Sequence, residues 1–240
     1  MGMEHPNIVK FYQVCYDNRY LNIVMELVEG IPVLDLQEKL GKIPEPMCQI
    51  IMRQTTQAIH YFHQKGIVHR DLKLDNLMVS GYDTGNLNDM RVKLIDFGMA
   101  KHTTKEGKKV VLSTYCGTLN FMAPEVLDGE FYDSSCDVWS LGVMAFQILC
   151  GKPPFYANDE QDLINKILGN NYDFKDDDWV GISVDSKKWI RKLLVLDVKK
   201  RSTPQEAIEH NWLSGTASSR VKFNLHPEVL VQLRASKNAH

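Results

Sequence analysis

The chain has 240 residues, 44% of them hydrophobic, enough to bury one or two cores. Its formal net charge of -2 gives no electrostatic basis for nucleic-acid or membrane-surface binding, and neither partner is expected. The five cysteines (Cys15, Cys48, Cys116, Cys136, Cys150) are odd in number and contain no C-x-x-C, which argues against a disulfide framework or zinc site and for a reducing, cytoplasmic setting.

From the N-terminus, Ile8 to Tyr16 and Tyr20 to Leu27 read as strands joined by an Asp17-Asn18-Arg19 turn, before Gly30 and Pro32 break the pattern. From Pro46 to Lys65 the apolar residues Met47, Ile50, Ile51, Ala58, Ile59 and Phe62 fall at helical spacing, and Gly66 supplies the stop. Leu77-Met78-Val79 and Val92 to Ile95 are short apolar runs flanking a polar hairpin loop, Ser80 to Met90. After Asp96 no strand pattern appears, only a Thr/Lys-rich loop to about Phe121 and then helical segments to Leu213. The longest apolar stretch, Val138 to Cys150, is too short to span a bilayer and reads as a buried helix. Strands followed by many helices predict an α+β layout. Residues 214–240 are more polar and are expected to lie outside the core. His60 and His63 lie three apart on the predicted helix, but with no third ligand nearby they are read as solvated or packing residues. Asp176-Asp177-Asp178 is read as hydrated loop with Trp179 as an anchor beside it.

The strongest local signal is His69-Arg70-Asp71-Leu72-Lys73-Leu74-Asp75-Asn76, followed by Asp96-Phe97-Gly98 and then Ala123-Pro124-Glu125. In this order the three elements match H-R-D-L-x-x-x-N, D-F-G and A-P-E, and the chain resembles the eukaryotic protein kinases. The resemblance implies a protein-kinase-like fold, mostly the helical C-terminal lobe (29–213) with an N-terminal-lobe remnant and hinge (1–28), and a tail at 214–240. It implies ATP and Mg²⁺, with Ser/Thr-bearing proteins as substrates. Asp71 would orient the substrate hydroxyl, Lys73 would set a cation against the transferring phosphoryl group, and Asn76 and Asp96 would hold the metal. The D-L-K-x-x-N form is similar to that of Ser/Thr kinases, as is Gly117-Thr118, which would place Thr118 beside Asp71 and Lys73.

Further matches cover nearly the whole chain. Met25-Glu26-Leu27-Val28 resembles the hinge, with Met25 at the gatekeeper position and the Glu26 and Val28 backbone facing adenine. Asp137 resembles the carboxylate that bonds the catalytic-loop backbone, and Arg201 the structural partner of Glu125. Leu112-Ser113-Thr114-Tyr115-Cys116-Gly117-Thr118 is similar to the activation loop of calmodulin-dependent kinase I. Thr114 would then be a phosphosite for an upstream kinase, with Arg70 and Lys101 receiving the phosphate, or else an ordinary loop threonine. His226 to Arg234 resembles the start of that group's autoinhibitory helix, which would bring a calcium/calmodulin-type regulator, or else is a plain polar tail.

The family pattern is incomplete. No G-x-G and no V-A-I-K-like lysine occur, so the chain is expected to be a fragment or truncated gene product, with a catalytically silent binding module as the alternative. The family's G-G-E-L reads Gly30-Ile31-Pro32-Val33, and Gln147 stands where some basophilic kinases have an acid. Asp75 retains one carboxylate, so a preference for basic peptides is expected to be weakened.

Overall fold

The computed structural model describes residues 3–105, 108–109, 112, 116–129, 132–175 and 177–215. Near the start, Ile8 bridges in parallel to Leu94. Strands β1 (Phe11–Tyr16) and β2 (Leu21–Met25) then form an antiparallel ribbon. Asp17 makes the turn by accepting both the Arg19 and Tyr20 amides at 2.8 Å, as the sequence predicts. The expected first strand starts later than Ile8 because residues 5–9 turn to bond the chain at Leu94, Val9 donating to Leu94 and Leu94 to Asn7.

Gly30 and Pro32, expected only as breakers, flank and form a short strand, β3 (Ile31–Pro32), antiparallel to residues 78–79. At Gly30, with φ 121°, a Cβ would lie 2.2 Å from the Val79 carbonyl oxygen, so only glycine lets the two backbones approach. Helices α1 (Val33–Leu40) and α2 (Glu45–Gln64) follow. On α2, the predicted Met47, Ile51, Ala58, Ile59 and Phe62 are buried on one face together with Cys48 and Met52, whereas the predicted Ile50 is only partly buried against the core. Thr55 and Thr56 also sit on that face because their hydroxyls return to the Ile51 and Met52 carbonyls.

Strand β4 (Ile67–Val68) precedes the hairpin of β5 (Leu77–Ser80) and β6 (Arg91–Leu94), and β3, β5 and β6 make one antiparallel sheet. The connecting loop is not simply polar: Tyr82, Leu87 and Met90 are buried in the core. Short strands also follow Asp96, contrary to expectation. β7 (Lys101–His102) pairs with β4, and β8 (Thr104–Lys105) pairs with β9 (Lys108–Lys109). Each is only two residues long, below what periodicity can register.

The helical body comprises α3 (Pro124–Leu127), α4 (Ser135–Cys150), α5 (Glu160–Leu168), α6 (Val184–Leu193), α7 (Pro204–Glu209) and α8 (Asn211–Ser214). Asp159, Ser183 and Thr203 cap α5, α6 and α7, the last as a reciprocal box with Glu206. Every residue of α4 except Ser135 and Gln147 is buried, so the predicted core helix runs through the centre. No described helix is long and apolar enough to cross a membrane.

One buried ion pair ties this body together. Arg201 forks onto Glu125 through Nη1–Oε1 at 2.7 Å and Nη2–Oε2 at 2.9 Å, while its Nε donates to the Val195 carbonyl. The guanidinium also lies 5.2 Å from the Trp139 ring centre. Removing either partner strands a buried charge, so Glu125→Ala should lower unfolding free energy by about 3–5 kcal/mol. Urea denaturation checks this: the Glu125→Ala/Arg201→Ala double variant should lose less than the sum of the single losses.

Candidate active site

The β5–β6 register pairs Leu77 with Leu94 and leaves Asn76 and Ile95 at the same end of the hairpin. There Ile95 donates its amide to the Asn76 carbonyl at 2.9 Å, holding Asp96 beside the His69–Asn76 loop. Two residues in this region have left-handed backbone, Arg70 at φ 70° and Asp96 at φ 59°. Non-glycine residues hold such angles only where surrounding bonds over-determine them. At Asp96 the side chain does so, Oδ1 accepting the Gly98 amide at 2.9 Å.

At Arg70 the holding group is Asp137. Its Oδ1 accepts the Arg70 amide and its Oδ2 the His69 amide, each at 2.9 Å, and Oδ2 also meets His63 Nε2 at 2.8 Å. Burial pushes the Asp137 carboxyl up, but the His63 ring, His69 and the Arg70 amide outweigh it and hold the group below its ordinary range. His63 is thus neither solvated nor mere packing. Sequence reasoning missed it because its partner lies on α4, far along the chain. Burial lowers the His69 pKa, only partly opposed by Asp137, Asp71 and Asp96. Its ring packs edge-on to Phe97 at 4.8 Å, and Phe97 packs in turn on Phe62 and Phe11, which anchors the Asp96–Gly98 turn.

Four predicted residues meet directly. Asp71 Oδ1 accepts the Thr118 amide at 3.0 Å and its hydroxyl at 3.1 Å. Lys73 Nζ lies 3.1 Å from Asp71 Oδ2 and donates to the Thr118 hydroxyl at 3.1 Å. Asn76 Nδ2 donates to the Asp71 carbonyl at 2.9 Å, which leaves the amide oxygen as its remaining acceptor. Gly117, at φ 111°, would place a Cβ 2.6 Å from the Arg70 carbonyl oxygen, so glycine permits the approach that delivers Thr118. Among the hydrogen bonds of the described residues, Asp96 is tied to this group through its neighbour, by the Ile95–Asn76 bond.

Hard oxygen donors from one amide and one carboxylate fit Mg²⁺, which takes few protein ligands and completes its shell from phosphates and water. Among the described residues no cluster of three His, Cys, Asp or Glu side chains suits a metal by itself. Asn76 and Asp96 are therefore compatible with a metal shared with a phosphate substrate.

Other predicted residues lie apart from the cluster. Met25 is exposed at the end of β2. The Glu26 amide donates to the Lys10 carbonyl at 2.8 Å, and its carboxylate pairs with Lys93 of β6 at 2.8 Å. Among the described residues neither the Glu26 carbonyl nor the Val28 amide takes a backbone bond. Thr114 lies outside the described residues. Arg70 donates from Nε to the Met99 carbonyl at 2.7 Å and from Nη1 to the Tyr132 hydroxyl at 3.3 Å, while Lys101 is exposed on β7.

Comparison with known proteins settles the family. The protein kinase domain family matches residues 1–213. The chain belongs to the protein kinase family. It is 37% identical over 232 residues to calcium/calmodulin-dependent protein kinase type 1 of Macrobrachium nipponense, covering 97% of this chain and 64% of that protein. The Caenorhabditis elegans protein of the same name is 36% identical over 234 residues, 98% of this chain and 64% of its own. Myosin light chain kinase A of Dictyostelium discoideum is 37% identical over 217 residues, 90% of this chain and 71% of its own. The chain thus spans less than two thirds of the crustacean and nematode relatives. Family membership implies ATP as substrate and typically Mg²⁺.

In this kinase domain Asp137 links acid stability to the site. Its pKa lies below the ordinary 3.8, so its stabilisation is complete above that value and disappears as pH falls through the lower folded value. Asp137→Asn should therefore be less stable than the parent at neutral pH. The gap should close on acidification through and below 3.8, read from urea midpoints across the series.

Proposed function

We propose that the chain is the catalytic part of a Ser/Thr protein kinase that transfers the γ-phosphate of ATP to protein hydroxyls. The observation carrying this reading is that Lys73, Asn76 and Thr118 each lie within one hydrogen bond or ion pair of Asp71. Asp71 orients the acceptor hydroxyl and receives its proton as the new O–P bond forms and the bond to the ADP oxygen breaks. Lys73 sets its ammonium against the oxygens of the moving phosphoryl group. Asn76 and Asp96 would hold Mg²⁺, which when bound would neutralise phosphate charge. The Glu26 carbonyl and Val28 amide face adenine with Met25 beside them. Thr118 positions the peptide near its acceptor.

In this reading residues 1–28 are the upper-lobe remnant and hinge, 29–213 the helical lobe and 214–240 a tail. The relatives' names support regulation by a calcium/calmodulin-type partner. In this reading that partner acts through residues 226–234, an upstream kinase phosphorylates Thr114, and the setting is cytoplasmic. Gln147 donates to Gln37 at 3.0 Å, a neutral pair that supports weakened selection of basic peptides. A second reading, a partner-binding module without turnover, is favoured by the exposed β1–β2 ribbon, where Tyr16 is 78% accessible, and by Leu27 just beyond it, 91% accessible.

Labelled-phosphate transfer from Mg-ATP to a serine peptide separates the two readings. Asp71→Asn and Asp96→Asn, which keep the oxygen acceptors that hold the loop, should each reduce transfer at least about 100-fold while retaining the parent's thermal midpoint. Transfer no greater than in these variants would remove the enzyme reading and leave the module.

A further inference from the structure

A second concavity lies in the helical body, at the C-terminal end of α4. It encloses about 850 Å³ between α4, the 152–156 loop and residues 170–175 and 178–179. That volume is within the usual range of small-molecule sites, about 300–1,000 Å³. None of its lining residues takes part in the phosphoryl-transfer reading.

Its floor is an aromatic cluster packed edge to face. Phe146 lies 4.7 Å from Trp179 and 5.9 Å from Tyr172, and Tyr172 lies 5.9 Å from Phe155 and 5.6 Å from Phe174. Phe146 and Trp179 are almost wholly buried, and Trp179 is the anchor expected of it. Rings held by several neighbours at once make a floor that is formed before any ligand arrives.

Every charged side chain lining the cavity already has a partner of opposite sign. Asp178 meets Lys152 and Lys42, each at 2.6 Å, and Lys152 and then Lys42 hold its carboxyl down to about 2. Asp178 is thus ion-paired, not the plain hydrated loop expected from the acidic run. Asp173 pairs with Lys175 at 3.3 Å. Cys150 is a neutral thiol, pushed up to about 11 by burial, and it donates to the Lys152 carbonyl at 3.2 Å. An ionised ligand would give up its hydration here without meeting an unmatched charge.

The unmatched groups are neutral. Among the described residues the Tyr172 hydroxyl and the Asn171 carboxamide, both on the lining, make no hydrogen bond. Burial, opposed only by Arg191, pushes the Tyr172 phenol up to about 12, so it keeps its proton at neutral pH. The exposed Asn171 side chain adds one carbonyl acceptor and an amide donor. A neutral ligand group that both accepts and donates satisfies this pair, and the simplest such group is a carboxamide.

We propose that this cavity binds a small uncharged molecule made of an aromatic ring and a carboxamide. The ring would lie against Tyr172, Pro153 and Pro154 over the Phe146–Trp179 floor. Its carbonyl would accept from the Tyr172 hydroxyl, and its amide would exchange hydrogen bonds with Asn171. A carboxylate of the same shape has no proton for the Asn171 carbonyl and would bind less tightly.

The test is titration of the full chain with 3-phenylpropionamide and with 3-phenylpropionate, followed by amide and indole NMR signals. The amide should bind saturably with Kd of about 1 mM, at least about tenfold more tightly than the acid. Shifts should centre on Cys150, Tyr172 and the Trp179 indole. Tyr172→Phe/Asn171→Ala keeps the aromatic floor and removes only groups without a partner in the protein, so its thermal midpoint should match the parent's. It should weaken the amide about tenfold and leave the acid little changed. Equal affinity of amide and acid for the parent chain overturns the proposal. So does undiminished amide binding in the double variant, or no saturable shift at ligand concentrations well above millimolar.

Discussion

Asp137 is a carboxylate with almost no exposed surface, and it accepts two consecutive backbone amides from the loop that carries Asp71. A buried charge is tolerated only when its acceptor sites are filled, and here three donors fill them. One of those amides belongs to Arg70, whose left-handed backbone would otherwise relax. The central helix α4 thereby fixes the direction in which Asp71 and Lys73 leave the loop.

Two further constraints converge on the same place. The β5–β6 register and the Ile95–Asn76 bond bring Asp96 to the loop from the other side. The Glu125–Arg201 fork fixes α3 against the start of α4, just after the segment that presents Thr118 to Asp71. Each is a contact between distant parts of the chain, and each depends on geometry a single substitution can remove. Phosphoryl transfer asks mainly for position and charge, so a site built this way suits it.

What the sequence made legible follows from where information is local. Asp71, Lys73, Asn76 and Asp96 stand in short motifs, and α2 and α4 announce themselves by apolar spacing over many residues. Asp137 was recognisable only by resemblance, and its partner His63 not at all, because the pair is made by tertiary packing between α2 and α4. β3 was hidden because Pro32 reads as a breaker, yet an edge position spares its missing amide. Tyr82, Leu87 and Met90 were hidden because a loop rich in Gly, Asn and Asp masks three separate apolar anchors. The charges at Asp178 looked solvated since Lys42 and Lys152 come from other loops.

In the proposed reading residues 71, 76 and 96 surround one metal–nucleotide position. Paramagnetic broadening by Mn²⁺-ATP, followed residue by residue in the amide NMR spectrum, tests it without requiring turnover. Signals of Asp71, Asn76 and Asp96 to Gly98 should fade first, ahead of those near Trp179. Early loss elsewhere in the chain, with these signals intact, would contradict the account.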